Sequence, residues 1–237
     1  MAQVERIVIL TGAGISAESG IDTFRSAGGQ GQGLWEQHRV EDVATPEGFA
    51  RNPNLVLDFY DMRRAALANV ASNPAHTALA RLERAFAGEL LLVTQNVDDL
   101  HERGGSAQVL HMHGELKSAL CTACGMRSPW FATMIDRPPC PVCRAPMLRP
   151  DVVWFGEMPY EMGRIYQALE TCDLFVSIGT SGAVYPAAGF VQEARSAGAR
   201  CLELNLERSE GSRFFHETRL GPASVVVPEW VEEVLGG

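Results

Sequence analysis

The chain has 237 residues, 46% of them hydrophobic and 21% charged, with a formal charge of −9. This balance excludes disordered, collagen-like and membrane-embedded classes, and leaves room for one large domain or one and a half. With 20 basic against 29 acidic residues, the chain is also a poor candidate for a protein that lives on nucleic-acid phosphates.

Met1 to Arg6 offers no basic region ahead of the short apolar run Ile7 to Leu10, so the reading is of a cytoplasmic chain with no signal peptide and no membrane partner. That run reads as the first strand. It passes into Gly12-Ala13-Gly14-Ile15-Ser16-Ala17, a G-x-G-x-x-A turn in which glycines let backbone amides approach a pyrophosphate at a helix amino end. No second strand ends in an acidic residue roughly 20 positions later, as it does in dehydrogenases. Hydride transfer is therefore disfavoured. The polar stretch Glu18 to Arg25 suits a ligand-covering loop, and Gly28 to Gly33, rich in glycine and glutamine, is expected to be mobile.

Further along, Asn52-Pro53 and Asn73-Pro74 each open a helix; the second carries Leu79, Leu82 and Phe86 at helical spacing. The apolar runs Leu90 to Val93, Phe175 to Ile178, Cys201 to Leu204 and Val225 to Val227 read as further strands. Continuous apolar runs of this length belong to strands buried on both faces of a parallel sheet. A helix over Pro186 to Ala197 precedes the Cys201 run. The alternation predicts an α/β, doubly wound domain whose ligands gather at the carboxyl ends of the strands. Residues 25–70 and 116–151 break the repeat and predict a smaller module beside the sheet.

Cys121-x2-Cys124 and Cys140-x2-Cys143, separated by 15 residues, have the spacing of a closed tetrahedral zinc site. Four thiolates leave no open position, so the metal is expected to be structural. Cys172 and Cys201 read as core residues. His111 and His113, in Val109-Leu110-His111-Met112-His113-Gly114, could share one face of a strand. On residue type alone they are as readily structural as catalytic.

The order of these motifs, Gly12-Ala13-Gly14-Ile15-Ser16, Thr94-Gln95-Asn96-Val97-Asp98, His113-Gly114, the four cysteines, Gly179-Thr180-Ser181 and Asn205-Leu206-Glu207, resembles that of the sirtuins, NAD-dependent protein-lysine deacylases. The resemblance runs from about Val4 to Val234. It implies a single catalytic domain over 1–237: a large Rossmann-type part (about 1–30, 73–114 and 152–237) and a small helical and zinc module (about 31–72 and 115–151). NAD and an extended acyl-lysine peptide would meet between them, in an enzyme expected to be monomeric.

Carried over by motif, Gly12, Ala13, Gly14 and Ser16 would cradle the pyrophosphate, with Phe24 and Arg25 in the cofactor loop. Gln95 and Asn96 would hold the nicotinamide ribose and Asp98 the carboxamide. Gly179, Thr180, Ser181, Asn205, Leu206 and Glu207 would surround the adenosine half, with Ala223 beside adenine. His113 would be the base of the family mechanism. In that mechanism the acyl oxygen displaces nicotinamide, and an activated ribose hydroxyl attacks the former acyl carbon, giving free lysine and O-acyl-ADP-ribose.

Tyr60 and Arg63, three apart on one helix, resemble the Tyr-x-x-Arg pair of class III sirtuins, which remove succinyl, malonyl or glutaryl groups. A guanidinium fork suits a distal carboxylate, and a phenol can add a hydrogen bond. Ala44 matches the small residue that leaves that pocket open, and Val153, Trp154, Phe155 and Gly156 resemble the segment that pairs with substrate backbone. Three readings compete with this one: a plain deacetylase, a protein ADP-ribosyltransferase using the same cleft, and an NAD-binding sensor without turnover.

Overall fold

The computed structural model describes residues 4–21 and 38–236. Phe24, Arg25 and the 28–33 stretch lie outside the described residues.

Six strands form one parallel sheet: β1 (Arg6–Thr11), β2 (Glu89–Thr94), β3 (Val109–His111), β7 (Leu174–Ile178), β8 (Arg200–Asn205) and β9 (Glu217–Leu220), in the order β3-β2-β1-β7-β8-β9. Alternation along the strands sends neighbouring side chains to opposite faces. Ile7, Ile9, Leu92, Val176, Leu202 and Leu204 join a core with the helices Pro74–Ala85 and Ala223–Gly236. Val8, Leu10, Val93, Phe175 and Cys201 join another with Met162–Leu169 and Phe190–Ser196. Both faces are covered, which is why the strands read as unbroken apolar runs. Chain order reverses between β1 and β7, the point at which open α/β sheets leave a crevice for ligands.

A second sheet is antiparallel: β4 (Gly114–Cys121) lies between β5 (Arg127–Pro129) and β6 (Leu148–Val152). The helix Pro53–Ala66 packs against it, opened by Asn52, whose side chain accepts from the Leu55 amide. Within that helix Arg64 and Asp61 form a buried ion pair at 2.5 Å. Arg64 Nε donates to the Leu116 carbonyl at 2.6 Å, and Asp61 Oδ2 accepts from the Met134 and Ile135 amides at 2.7 and 3.1 Å. Such a pair adds little by mere attraction, but removing one partner strands a buried charge.

Two sequence expectations change. Val225 to Val227 is not a strand but part of the helix Ala223–Gly236. Buried Val226, Val227, Trp230 and Val231 recur at helical spacing and pack on the Pro74–Ala85 helix, so the stripe outweighs the β-branched run. The last strand is instead Glu217-Thr218-Arg219-Leu220, polar because it lies at the sheet edge. The expected helix over Pro186 to Ala197 is a 3-10 turn, Ala187–Gly189, running into an α-helix, Phe190–Ser196.

The turns after β1 and β7 pack backbone on backbone. Gly14 N–H donates to the Gly179 carbonyl at 2.9 Å, and a Cβ on Gly179, whose φ is +63°, would lie 2.4 Å from Ile15 N. Gly179→Ala is therefore expected to lower unfolding free energy by about 3 kcal/mol in urea titration, combining backbone strain with a clash. Gly125→Ala has a similar φ of +74° but open space around its Cβ, and should cost only about 1 kcal/mol. Equal losses would refute the packing argument.

Candidate active site

The residues singled out from sequence converge at the carboxyl ends of β1, β2 and β7. The turn after β1 runs into a short helix, Gly14–Ala17, which buries Ser16. Its hydroxyl donates to Asp98 Oδ2 at 3.2 Å and accepts from Asn96 Nδ2 at 3.1 Å. His76 Nε2 stands 3.4 Å from the same oxygen. Because the Asn73 amide donates to His76 Nδ1 at 3.2 Å, the ring proton sits on Nε2 and points to Ser16. Burial pushes the His76 pKa down to about 4, so the ring is neutral near pH 7. Asp98 also accepts from the Leu100 amide at 3.1 Å, and its pKa is raised by burial.

Asn96, Asp98, Ser16, Ala13 and Arg63 line one cavity of about 120 Å³. Arg63 comes from the Pro53–Ala66 helix, half-buried, with its guanidinium 5.5 and 5.8 Å from the Phe59 and Tyr60 ring centres. Its pKa is lowered by burial, partly countered by Tyr60 and Asp98. Tyr60 is buried, and its hydroxyl accepts from Trp154 Nε1 at 3.0 Å. Ala44 sits in the same apolar cluster as Tyr60 and Trp154.

His113 follows β3. Its Nδ1 lies 3.1 Å from the Gln95 carbonyl, which fixes the proton on Nδ1 and leaves Nε2 as an acceptor. Burial lowers its pKa, the Gln95 carbonyl opposing. The next residue must be glycine: at Gly114 φ is +78°, and a Cβ would lie 2.0 Å from the Asp151 carbonyl.

The segment 153–156 lies alongside. Val153 N–H donates to the His113 carbonyl at 2.8 Å, Phe155 N–H to the Ala44 carbonyl at 2.9 Å, and Trp154 N–H to Glu157 Oε2 at 2.9 Å. Three amides of this segment are thus engaged within the chain. Arg149 holds the segment from below, bridging Glu157 at 2.7 Å and lying 3.6 Å over the Trp154 ring.

At the other end of the crevice, Asn205 Nδ2 donates to the Thr180 carbonyl at 2.8 Å, and Thr180 Oγ1 meets Ser177 Oγ at 2.8 Å. The Ser181 carbonyl accepts from the Glu210 amide at 3.0 Å. Leu206 and Glu207 are exposed, and Ala223 begins the last helix. Glu18 caps that helix by accepting from Ser224 N and Oγ at 2.9 and 2.7 Å. Sequence reading missed the roles of Glu18, His76, Glu157 and Arg149: His76 is marked by its place in the first turn of a capped helix, Arg149 and Glu157 pair only 8 residues apart, and Glu18 meets Ser224 across 206 positions.

The sulfur atoms of Cys121, Cys124, Cys140 and Cys143 all lie within 4.8 Å of one another. Cys121 and Cys143 are 3.6 Å apart and Cys124 and Cys140 3.8 Å, against about 3.8 Å for the edge of a tetrahedron with zinc–sulfur bonds of about 2.3 Å. Both knuckles close alike, Gly125 N–H donating to the Cys121 carbonyl and Arg144 N–H to that of Cys140. Gly125 and Arg144 both take positive φ, at 74° and 65°. The residues fit one structural zinc.

A Rossmann-type sheet carrying a four-cysteine module, with a histidine and an Asn–Asp pair at the crevice between them, defines an NAD-site class of protein. Residues 12–186 match the model of the Sir2 family, and the chain belongs to that family. It is 55% identical over 240 residues to an NAD-dependent protein deacylase of Salmonella typhimurium, covering 100% of this chain and 86% of the other. It is 56% identical over 232 residues to one of Vibrio vulnificus (97% and 93%). Among solved structures, a Sir2 homologue in complex with NAD aligns at a TM-score of 0.87 and 38% identity, covering 98% of this chain and 90% of that one. A Sir2 protein bound to a myristoylated histone peptide aligns at 0.74 and 33%, covering 98% and 92%.

The purified protein should hold one zinc per chain by elemental analysis. Cys143→Ser should lose it and lower the thermal midpoint; a metal-free protein with an unchanged midpoint would refute the assignment.

Proposed function

We propose that this Sir2-family NAD-dependent protein deacylase acts preferentially on lysines carrying dicarboxylic acyl groups, succinyl, malonyl or glutaryl, with acetyl as the poorer substrate. The observation that carries the reading is Arg63, a guanidinium lining the cavity that also contains Asn96 and Asp98. A basic group there has no use for an acetyl methyl but suits a distal carboxylate, in a site where charge-assisted bonds are strong. Tyr60 supports the same reading. Its oxygen accepts from Trp154, so its own proton is left to donate, and burial raises its pKa and keeps it protonated. Ala44 adds no bulk to the cluster it shares with Tyr60. The myristoylated peptide in a similar structure supports room in this fold for chains longer than acetyl.

When bound, NAD supplies a ribose carbon from which nicotinamide can depart as the acyl oxygen arrives. Asp98 has acceptor capacity beyond its bonds to Ser16 and Leu100, and we assign it the carboxamide. Gln95 and Asn96 hold the nicotinamide ribose. The glycine turn, Gly12, Ala13, Gly14 and Ser16, receives the pyrophosphate; since Gly12 and Gly14 N–H groups donate to the Ile178 and Gly179 carbonyls, these glycines serve mainly by allowing close approach. Thr180, Ser181, Asn205, Leu206, Glu207 and Ala223 frame the adenosine half. His113 takes a proton at Nε2 from a ribose hydroxyl, with Nδ1–H anchored on Gln95. An acylated lysine in an extended peptide runs beside residues 153–156. The zinc module, residues about 115–151, and the described part of the helical segment, 38–72, form the opposite wall.

Arg63→Met should reduce kcat/KM for a succinyl-lysine peptide on the order of 100-fold, because a buried carboxylate loses its partner, with deacetylation changed far less; equal losses would sink the specificity claim. Because His113 must be neutral to act and its pKa is lowered, the acid limb of kcat/KM should have its midpoint below the ordinary histidine value of about 6.5. His113→Tyr should abolish deacylation with zinc still bound.

A further inference from the structure

We infer that His111 is a positioning residue for this reaction, acting as an imidazolium that ties the Gln95–Asp98 segment to the helix Leu100–Arg103. The inference rests on assigning Asn96 and Asp98 to the nicotinamide end, and not on the acyl preference.

The geometry defines the protonation state. His111 Nδ1 lies 3.2 Å from the Asn96 carbonyl oxygen and Nε2 lies 2.8 Å from Glu102 Oε1. Both partners only accept, so both ring nitrogens must carry protons for both bonds to form. Either neutral tautomer would turn a lone pair on a carbonyl or on a carboxylate. His113, two residues on, makes one such contact, to the Gln95 carbonyl, and needs no second proton. The two imidazoles therefore bond to consecutive carbonyls of one loop in opposite charge states: His113 neutral for chemistry, His111 charged for support.

The surroundings agree. The His111 side chain is 7% exposed and that of Glu102 is 42% exposed. Burial alone would push the His111 pKa down, but the hydrogen bond and charge of Glu102, with Glu115 and the Asn96 carbonyl, outweigh it and raise it. The other titratable groups acting on this ring are His101, from the same helix as Glu102, and Asp98. His101 is buried, with its pKa well below the usual value through burial, so it adds no competing positive charge near pH 7. The Asn96 side chain bonds Ser16 while its carbonyl bonds His111. Losing the second bond frees the segment that carries Asp98. The effect belongs to NAD binding more than to turnover.

The test is the pH dependence of kcat/KM for NAD in wild type and Glu102→Gln, across about pH 6 to 9. Wild type should lose kcat/KM on the alkaline side as His111 deprotonates, with a midpoint above that of an ordinary histidine. Glu102→Gln should move this fall to lower pH, and near pH 8 should raise the KM for NAD roughly tenfold with a smaller change in kcat. Profiles that superimpose would overturn the proposal. Nitrogen chemical shifts of the His111 ring in wild type test it without any variant: protons on both nitrogens at about pH 7 support it, and a neutral ring overturns it. Absence of nicotinamide release from wild type would instead mark failure of the NAD assignment itself.

Discussion

One buried hydroxyl joins the parts of this crevice. Ser16 Oγ accepts from Asn96 and His76 and donates to Asp98, so it links the turn after β1, the loop after β2 and the first turn of the Pro74–Ala85 helix. A hydroxyl has one proton and two acceptor sites, and here all three are used. In a buried network each member is costly to leave unsatisfied, so the arrangement has one low-energy form. The same bonds orient Asp98 and the Asn96 amide toward the cavity they line. The site is rigid where the cofactor's reacting end is assigned.

A second constraint brings the zinc module to the sheet. Asp151, fully buried on β6, accepts from Ser118, Arg127 and Tyr160 at 2.7 to 2.8 Å. Tyr160 N–H in turn donates to the Met112 carbonyl, between the two crevice histidines. From the other side, Arg64 and Asp61 fasten the helix bearing Tyr60 and Arg63 to β4 and to residues 132–135. Four cysteine ligands would leave a zinc ion no open position for chemistry. Bound there, it would hold together the module that the Asp151 contacts bring to the parallel sheet.

Most of the fold was legible because parallel strands buried on both faces announce themselves as apolar runs: Ile7 to Leu10, Leu90 to Val93, Phe175 to Ile178 and Cys201 to Leu204 all became strands. The failures fall where that logic stops. Glu217 to Leu220 is an edge strand with polar residues, and Val225 to Val227 gains more from a helical stripe than from its β-branched shape. In the site, local spacing exposed the glycine turn, the cysteine knuckles and the Tyr60–Arg63 pair. Long-range partners were invisible: nothing near Trp154 in sequence points to Tyr60, and nothing near His111 shows that its ring meets both Asn96 and Glu102.

Arg63 and Asp98 line one cavity, and the proposed function assigns the first to a distal carboxylate and the second to nicotinamide. A crystal structure with a non-hydrolysable NAD analogue and a succinyl-lysine peptide tests it most directly. The account predicts the succinyl carboxylate on the Arg63 guanidinium and the Tyr60 hydroxyl, with the carboxamide on Asp98. A succinyl group turned away from Arg63 would contradict it.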